Sequence, residues 1–459
     1  MASLIGIAEN QDIFQRHLIS YLSINEFVGL QSVSKIFQGP VSHETCWKIL
    51  SERDLGVNNK EAPRYNPHTK SFDTLSEQKT YKELYIRWSE WQQQTCYGIK
   101  PHHMIESIQI WARFKKALKE QNLTEILESL TPPPSREFFE TAAGNLPSSL
   151  IAFYAIHAGQ RELTPHSSDA EFFAGLFGSY SCYNSFYSMR LLHVRGSADS
   201  LITTSPNSVI VGMNLGQPRT CLLVDFNSSE APEGSMYFGF SSITRHLVCR
   251  GGMLSYFQTY TEQLERKIYQ PAIIHPDSPS SLGISLFPDT GDMVGVAITN
   301  GVEVRASARW FPERTHGGMN FGYSIRIGLA ASDSDQGPFT CQLVDRNWEF
   351  HYENGTTNRV QGEGVIGKQP LLFRTNDGVS GFIDMGPAGT GETQRNATFS
   401  YQSQSGPVPG TATTDVTKST KAFARGTFSF RTGSILGPTG PLFSVTVAEF
   451  PLRVTLPFY

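Results

Sequence analysis

Apolar residues recur at helical spacing near the start of the chain: Phe14, Leu18, Tyr21 and Leu22 share a face between Asp12 and Leu22, which predicts a helix. Ser23-Ile24-Asn25-Glu26 has the spacing of a capping box, so a second helix is expected to begin there. Its face would carry Phe27, Leu30, Ser34 and Phe37 until Gly39-Pro40 ends it, and Trp47 and Leu50 fit a third short helix. Three short helices bury little apolar surface. Leu18, Ile19, Leu22, Phe27 and Leu30 are therefore candidates for completion by a partner, the alternative being packing onto the next segment.

After a polar stretch from Asn58 to Thr74, Tyr81, Leu84, Tyr85, Trp88 and Trp91 form one helical stripe and Ile108, Trp111, Ala112 and Leu118 another. That spacing predicts buried rings, which argues against reading the aromatics beside Lys115, Lys116 and Lys119 as a stacking platform for nucleic acid. Thr131-Pro132-Pro133-Pro134 breaks the pattern and predicts a stiff linker. Beyond it, Leu150 to His157 reads as a helix with a glycine cap at Ala158-Gly159. Val209–Val211, Cys221–Val224 and Met236–Phe240 read as strands, and Phe257, Tyr260, Leu264 and Ile268 as a closing helix. The pattern is α+β.

From about residue 294 the period changes to two. Phe321, Tyr323, Ile325, Ile327 and Leu329 alternate with polar or small residues, as do Trp348, Phe350 and Tyr352, and Phe443, Val445 and Val447. One buried and one wet face per strand predicts an antiparallel sandwich, with residues 374 to 396 and 403 to 421 as long loops. Glycine counts of 5, 11 and 24 in residues 1–135, 136–270 and 271–459 follow the same progression from helical to turn-rich chain.

Composition narrows the functional classes. The net charge of −4, from 38 basic and 42 acidic residues, gives no broad surface for neutralising nucleic-acid phosphates. Nor does either end of the chain carry a basic arm. The opening residues lack the basic start of a signal peptide and no long apolar run follows, so an intracellular protein, cytoplasmic and/or nuclear, is expected. Six cysteines at least 28 residues apart offer no zinc or dithiol spacing, and reduced, buried thiols are expected. No metal or cofactor is implied. His102-His103 reads as a solvated turn, and Asp289/Asp292 and Asp333/Asp335 as turn caps. No catalytic set emerges.

Gly362-Glu363-Gly364-Val365-Ile366-Gly367-Lys368-Gln369 matches GxGxxG and nearly matches a phosphate loop. The flanks do not suit either: a polar stretch precedes it, Pro370 follows, and Gln369 stands where a phosphate loop needs a hydroxyl. Turn geometry is the simpler reading of Gly362, Gly364 and Gly367. A ligand loop using these glycines and Lys368 remains the alternative.

Three family resemblances run along the chain. Leu18-Ile19-Ser20-Tyr21-Leu22-Ser23, Glu26-Phe27, Val33-Ser34-Lys35, Phe37 and Trp47 resemble the F-box over residues 8–55, although Asn10-Gln11 stands where that family opens with Leu-Pro and Phe37 where it has Trp. This resemblance implies adaptor binding through Leu18, Ile19, Leu22, Phe27, Leu30, Val33, Phe37 and Trp47. Residues 135–270, with Leu146-Pro147, Gly159 and Gly175-Leu176-Phe177-Gly178, resemble the SUKH superfamily, associated mainly with protein interactions. The glycine string, with Asp345-Arg346-x-Trp348 before it and Phe399-x-Tyr401 after it, resembles the ApaG domain, an immunoglobulin- or fibronectin-like sandwich, over 294–459.

The expected architecture is multidomain: an all-α F-box, a helical linker over 56–134, an α+β SUKH-like domain, a linker over 271–293 and an all-β sandwich. The combined order implies a non-catalytic substrate receptor of an SCF-type ubiquitin ligase. Its partners would be the S-phase kinase-associated adaptor, cullin through that adaptor, and a protein substrate, with neither nucleic acid nor membrane. The alternative is a ligand-binding or scaffold protein outside the ubiquitin system. An enzyme acting on phosphorylated substrates would require Lys368 and its loop to form a pocket.

Overall fold

The computed structural model describes residues 19–33, 35, 38–60, 62–66, 71–73, 80–95, 98–183, 185–194, 203–205, 207–216, 220–226, 231, 233–239, 245–275, 278–312, 319–330, 339–409 and 421–454. The helix expected before Leu22 lies mostly outside these residues, as do the candidates Leu18 and Phe37. Helix α1 (Ile24–Val33) starts where the capping pattern places it: the Glu26 carboxylate accepts from the Ser23 amide at 2.8 Å, and the Glu26 amide donates to Ser23 Oγ at 3.3 Å. The Ser23 hydroxyl, which donates to the same carboxylate at 2.7 Å, and then the Ser23 amide hold the Glu26 carboxyl below its ordinary range. Gly39-Pro40 does not end α1 but sits inside α2 (Gln38–Ser42), where proline is tolerated in a first turn.

Helix α3 (Glu44–Leu55) and α4 (Tyr81–Thr95) complete this unit, beside a small ladder of β1 (Arg64–Asn66) and β2 (Ser71–Asp73). The first aromatic stripe is buried as its spacing predicts, with Leu84, Tyr85, Trp88 and Trp91 inside. Trp47 forms the hinge of the packing. It meets Phe27 at 5.5 Å and Tyr85 at 5.7 Å, both edge to face, while its indole N–H donates to the Val41 carbonyl at 2.8 Å.

Helix α5 (Pro101–Glu120), expected within a linker, is instead the spine of the middle unit. Its Trp111 and Phe114 rings lie 4.7 and 4.8 Å from Phe257, and Phe153 is 5.1 Å from Trp111. Helices α6 (Thr124–Ser129), α7 (Arg136–Ala142), α8 (Ser148–Tyr154) and α9 (Asp169–Phe173) follow, and α10 (Gly252–Glu265) closes the layer. The proline segment does not stand free: the Thr131 amide bonds the Gly159 carbonyl and the Ala158 amide bonds Pro132, both at 3.0 Å. Gly159 is thus not the cap of α8, which ends at Tyr154; its φ of 124° fits the close approach of Leu192 and His193.

These helices pack on a nine-stranded sheet of β3 (Ser179–Cys182), β4 (Ser185–Leu191), β5 (Thr203–Ser205), β6 (Ser208–Asn214), β7 (Cys221–Asp225), β8 (Ser235–Gly239), β9 (Arg245–Cys249), β10 (Gln270–Ile273) and β11 (Leu282–Ser285). The order is β10-β11-β3-β4-β6-β7-β8-β9 with β5 beside β6, and among the described residues only the β11–β3 pair is parallel. The segment 271–293, expected as a linker, therefore supplies sheet strands to the middle unit.

The remainder is an antiparallel sandwich. One sheet orders β12 (Val294–Thr299), β13 (Val302–Trp310), β14 (Met319–Leu329) and β20 (Phe399–Val408). The other contains β15 (Phe339–His351), β16 (Thr357–Glu363), β17 (Leu371–Arg374), β18 (Ser380–Ile383), β19 (Thr393–Arg395), β21 (Phe423–Thr432) and β22 (Leu442–Pro451), ordered β19-β18-β17-β15-β21-β22 with β16 on β15. Trp348 joins the layers, 5.4 Å from Tyr323 and 6.1 Å from Phe450. Residues 374–396 are not a loop throughout, since β18 and β19 lie inside them; their glycine and polar content masked two short strands.

The sandwich is fastened to the middle sheet through Tyr180. Its ring stacks on Tyr187 at 4.6 Å and Phe311 at 5.0 Å, and the Arg309 guanidinium lies 3.7 Å from its centroid. Trp310 reaches Phe238 and His246 on the same side, and Tyr183 meets Ser403 at 2.8 Å. The described cysteines are free thiols, with burial pushing Cys46 and Cys341 up to about 12. Tyr180→Ala is expected to cost about 3 to 5 kcal/mol in denaturant unfolding, whereas Tyr180→Phe, which keeps both stacks, should cost far less.

Candidate functional site

The candidate adaptor-binding residues separate into a core and a rim. Ile19, Phe27 and Trp47 are buried among the chain's own helices, so they hold the unit together and do not present a docking face. Leu22 and Leu30 are half-buried, and Val33 closes α1. The Arg53 guanidinium fixes the approach to the helix by donating to the Ile19 and Leu22 carbonyls, each at 2.7 Å. What this anchoring presents to solvent is Tyr21, 86% exposed, and Val28, 43% exposed. Helical spacing could not single these two out, because an apolar residue beside a stripe looks like part of it.

The glycine string folds as a hairpin turn. Val365 and Lys368 form a bridge with reciprocal 2.8 Å amide-to-carbonyl bonds, and Ile366 and Gly367 occupy the tip with φ of 47° and 78°. Gly364 also has positive φ, at 53°, but Gly362 does not; a side chain at Gly362 would meet the Arg346 guanidinium. Arg346 donates to the Glu363 and Gly364 carbonyls at 3.1 and 2.6 Å, which ties the turn to β15.

The base of this turn is hydrogen-bonded within the chain, and its cation is paired. The amides of Gly364, Val365, Lys368 and Gln369 donate to Val344, Lys368, Val365 and Met385 carbonyls. Lys368 Nζ lies 2.7 Å from the buried Asp384 carboxylate, which neutralises it. Asp384 was invisible as a partner in the sequence because β18 brings it to Lys368 only through tertiary pairing. Among the described residues, no group of three His, Cys, Asp or Glu side chains could hold a metal ion.

His102-His103 is not a solvated turn: it opens α5, and His103 is buried. His103 Nδ1 lies 2.9 Å from Ser148 Oγ, which also accepts from the Lys100 amide at 2.7 Å. Lys100 Nζ holds Glu233 at 2.6 Å, while His103 Nε2 is 4.0 Å from that carboxylate. The Ser-His-Glu sequence of contacts resembles a nucleophilic relay, but the carboxylate is taken by Lys100 and too distant to orient the imidazole. It clamps α5 to α8 and the approach to β8. Asp289, expected as a turn cap, pairs with Arg326, and its carbonyl accepts from Arg305.

Burial lowers the pKa of His103 to about 4, aided by His102, and burial likewise lowers that of His157 to about 4.

Comparison with known proteins supplies a wider frame. The ApaG domain family (DUF525) matches residues 312–377. The chain is similar to the F-box protein SKIP16 of Arabidopsis thaliana, 23% identical over 485 aligned positions covering 98% of this chain and 99% of that protein. It is also similar to protein ApaG of Anaeromyxobacter sp. (strain K), 38% identical over 80 residues, 17% of this chain and 59% of that one. A crystal structure of the ApaA protein from Bordetella pertussis aligns at 25% identity with 34% of this chain and 95% of that chain, at a TM-score of 0.22.

Both buried histidines bind protons less readily when folded than their ordinary value of 6.5 allows. Stability from keeping them neutral is complete above about pH 6.5 and is lost as pH falls toward 4. The melting temperature should therefore fall between pH 7.5 and pH 5, and His103→Asn combined with His157→Asn should flatten that slope.

Proposed function

We propose that this chain is a substrate receptor of an SCF-type ubiquitin ligase: the helices around α1 engage the S-phase kinase-associated adaptor, and through it cullin, while the middle unit and sandwich hold a protein to be ubiquitinated. The observation that carries this reading is similarity to an F-box protein along nearly the whole chain, together with an ApaG domain in the same chain. The α1 unit supports it physically, because a core centred on Trp47 and Phe27 leaves Tyr21 and Val28 outside without a cover among the described residues. The receptor itself forms no bond; it raises the effective concentration of a target lysine near a separate conjugating enzyme.

On this reading residues 8–55 are the F-box and 135–270 a SUKH-like interaction domain, to which α5, β10 and β11 add packed structure. The sandwich over 294–459 is the second arm of the receptor, and the protein works inside the cell. Among the described residues no helix is long and apolar enough to cross a membrane. The rival reading, an anion-binding scaffold built on the glycine loop, is weakened by the Lys368–Asp384 pair, which takes up the loop's cation.

Direct binding of the purified chain to the adaptor tests the proposal. Tyr21→Asp with Val28→Asp alters the surface and spares the core, and should weaken binding at least tenfold with an unchanged melting temperature. Absence of binding by the unaltered chain would overturn the receptor reading.

A further inference from the structure

The two sheets of the sandwich end side by side. Strand β19 is the edge of one, β20 is the edge of the other, and residues 396–398 carry the chain between them. A cleft of about 570 Å³ opens at this place. Phe382 and Phe399 line it, 5.4 Å apart edge to face, and Ile273 and Pro279 reach it from the β10–β11 segment of the middle unit. Ile273 is 46% exposed at the mouth of this cleft.

Three features agree on the occupant. Strand β20 pairs with β14 on one side, and from Phe399 to Gln402 its other edge makes no main-chain hydrogen bond to a described residue. Such an edge accepts an added strand, with main-chain bonds giving affinity and flanking pockets giving selectivity. The charge is also unbalanced: Lys368, Asp384 and Glu392 line the cleft, one cation against two carboxylates. Finally, Asp384 is 6% exposed, and one of its oxygens takes the Lys368 ammonium and the Thr390 amide and hydroxyl at 2.7, 3.3 and 3.4 Å; the other has no partner among the described residues.

We propose that this cleft docks an extended peptide segment along the free edge of β20, with a lysine or arginine side chain of that segment directed to the Asp384 and Glu392 carboxylates. The aliphatic part of the basic side chain lies against the half-buried Phe382 ring, and Ile273 is covered by the bound segment. Lys368 is part of the wall and holds the Asp384 carboxylate in place through its 2.7 Å contact. The inference rests on the receptor reading, for which it supplies the chemistry of the recognised segment.

The test uses the full purified chain and a library of acetylated seven-residue peptides, each with one fixed central residue and randomised flanks. Peptides with Lys or Arg at the centre should be enriched at least tenfold over those with Asp or Glu. Glu392→Lys, at an exposed position, and Asp384→Asn should each abolish that preference, with folding checked by thermal melts. No enrichment, enrichment of acidic residues, or a preference unchanged in both variants would overturn the assignment. So would self-association of the chain that Glu392→Lys removes, which would make a second copy the occupant. Adaptor binding by the same preparations separates the two levels: loss of peptide selection with intact adaptor binding discards the cleft alone, and the converse discards the receptor reading alone.

Discussion

The Tyr180 stack is the constraint on which the arrangement of the C-terminal two-thirds depends. One ring is held by Tyr187 of its own sheet, by Phe311 at the end of β13, and by the Arg309 cation over its face. Aromatic stacks contribute about 0.5 to 1.5 kcal/mol each beyond area burial, and a desolvated cation over a ring about 2 kcal/mol. Their importance here is directional, because offset stacking fixes both separation and orientation. With the sandwich held in this way, the β10–β11 segment stands beside the ends of β18, β19 and β20, and a cleft shared by two units has a defined shape.

A second consequence concerns the division of labour along the chain. The N-terminal helices are stapled by Trp47, whose contacts with Phe27, Val41 and Tyr85 are all internal. Their exposed large apolar residues, Tyr21 and Val28, lie on α1 and the turn before it. The middle unit carries α5 as a buried spine, so the segment between the first helices and the sheet is packed structure and not a tether. If the chain is the receptor proposed above, its recognition elements stand on rigid supports, which favours specificity over reach.

Much of this was legible in the sequence, and the failures share a cause. Period-two alternation placed β14, β15 and β22, and period-3.6 stripes placed α4, α5 and α10, because one-sided burial writes itself into the spacing of apolar residues. The Ser23–Glu26 capping box and the turn geometry at Gly364 and Gly367 were readable because both are local. Pairings between distant segments were not: Lys368 with Asp384, His103 with Ser148, and Ile273 with the sandwich depend on tertiary approach. Strands β18 and β19 were hidden by glycine and polar residues, and the burial of Phe27 by a stripe that suits a partner's surface as well as the chain's own core.

The most direct test of the receptor reading is hydrogen–deuterium exchange of the full chain with and without the S-phase kinase-associated adaptor. Protection confined to residues 19–33, with exchange at 380–402 unchanged, is the result that two separate faces require. Protection centred on 380–402, or no protection in 19–33 at saturating adaptor, would contradict it.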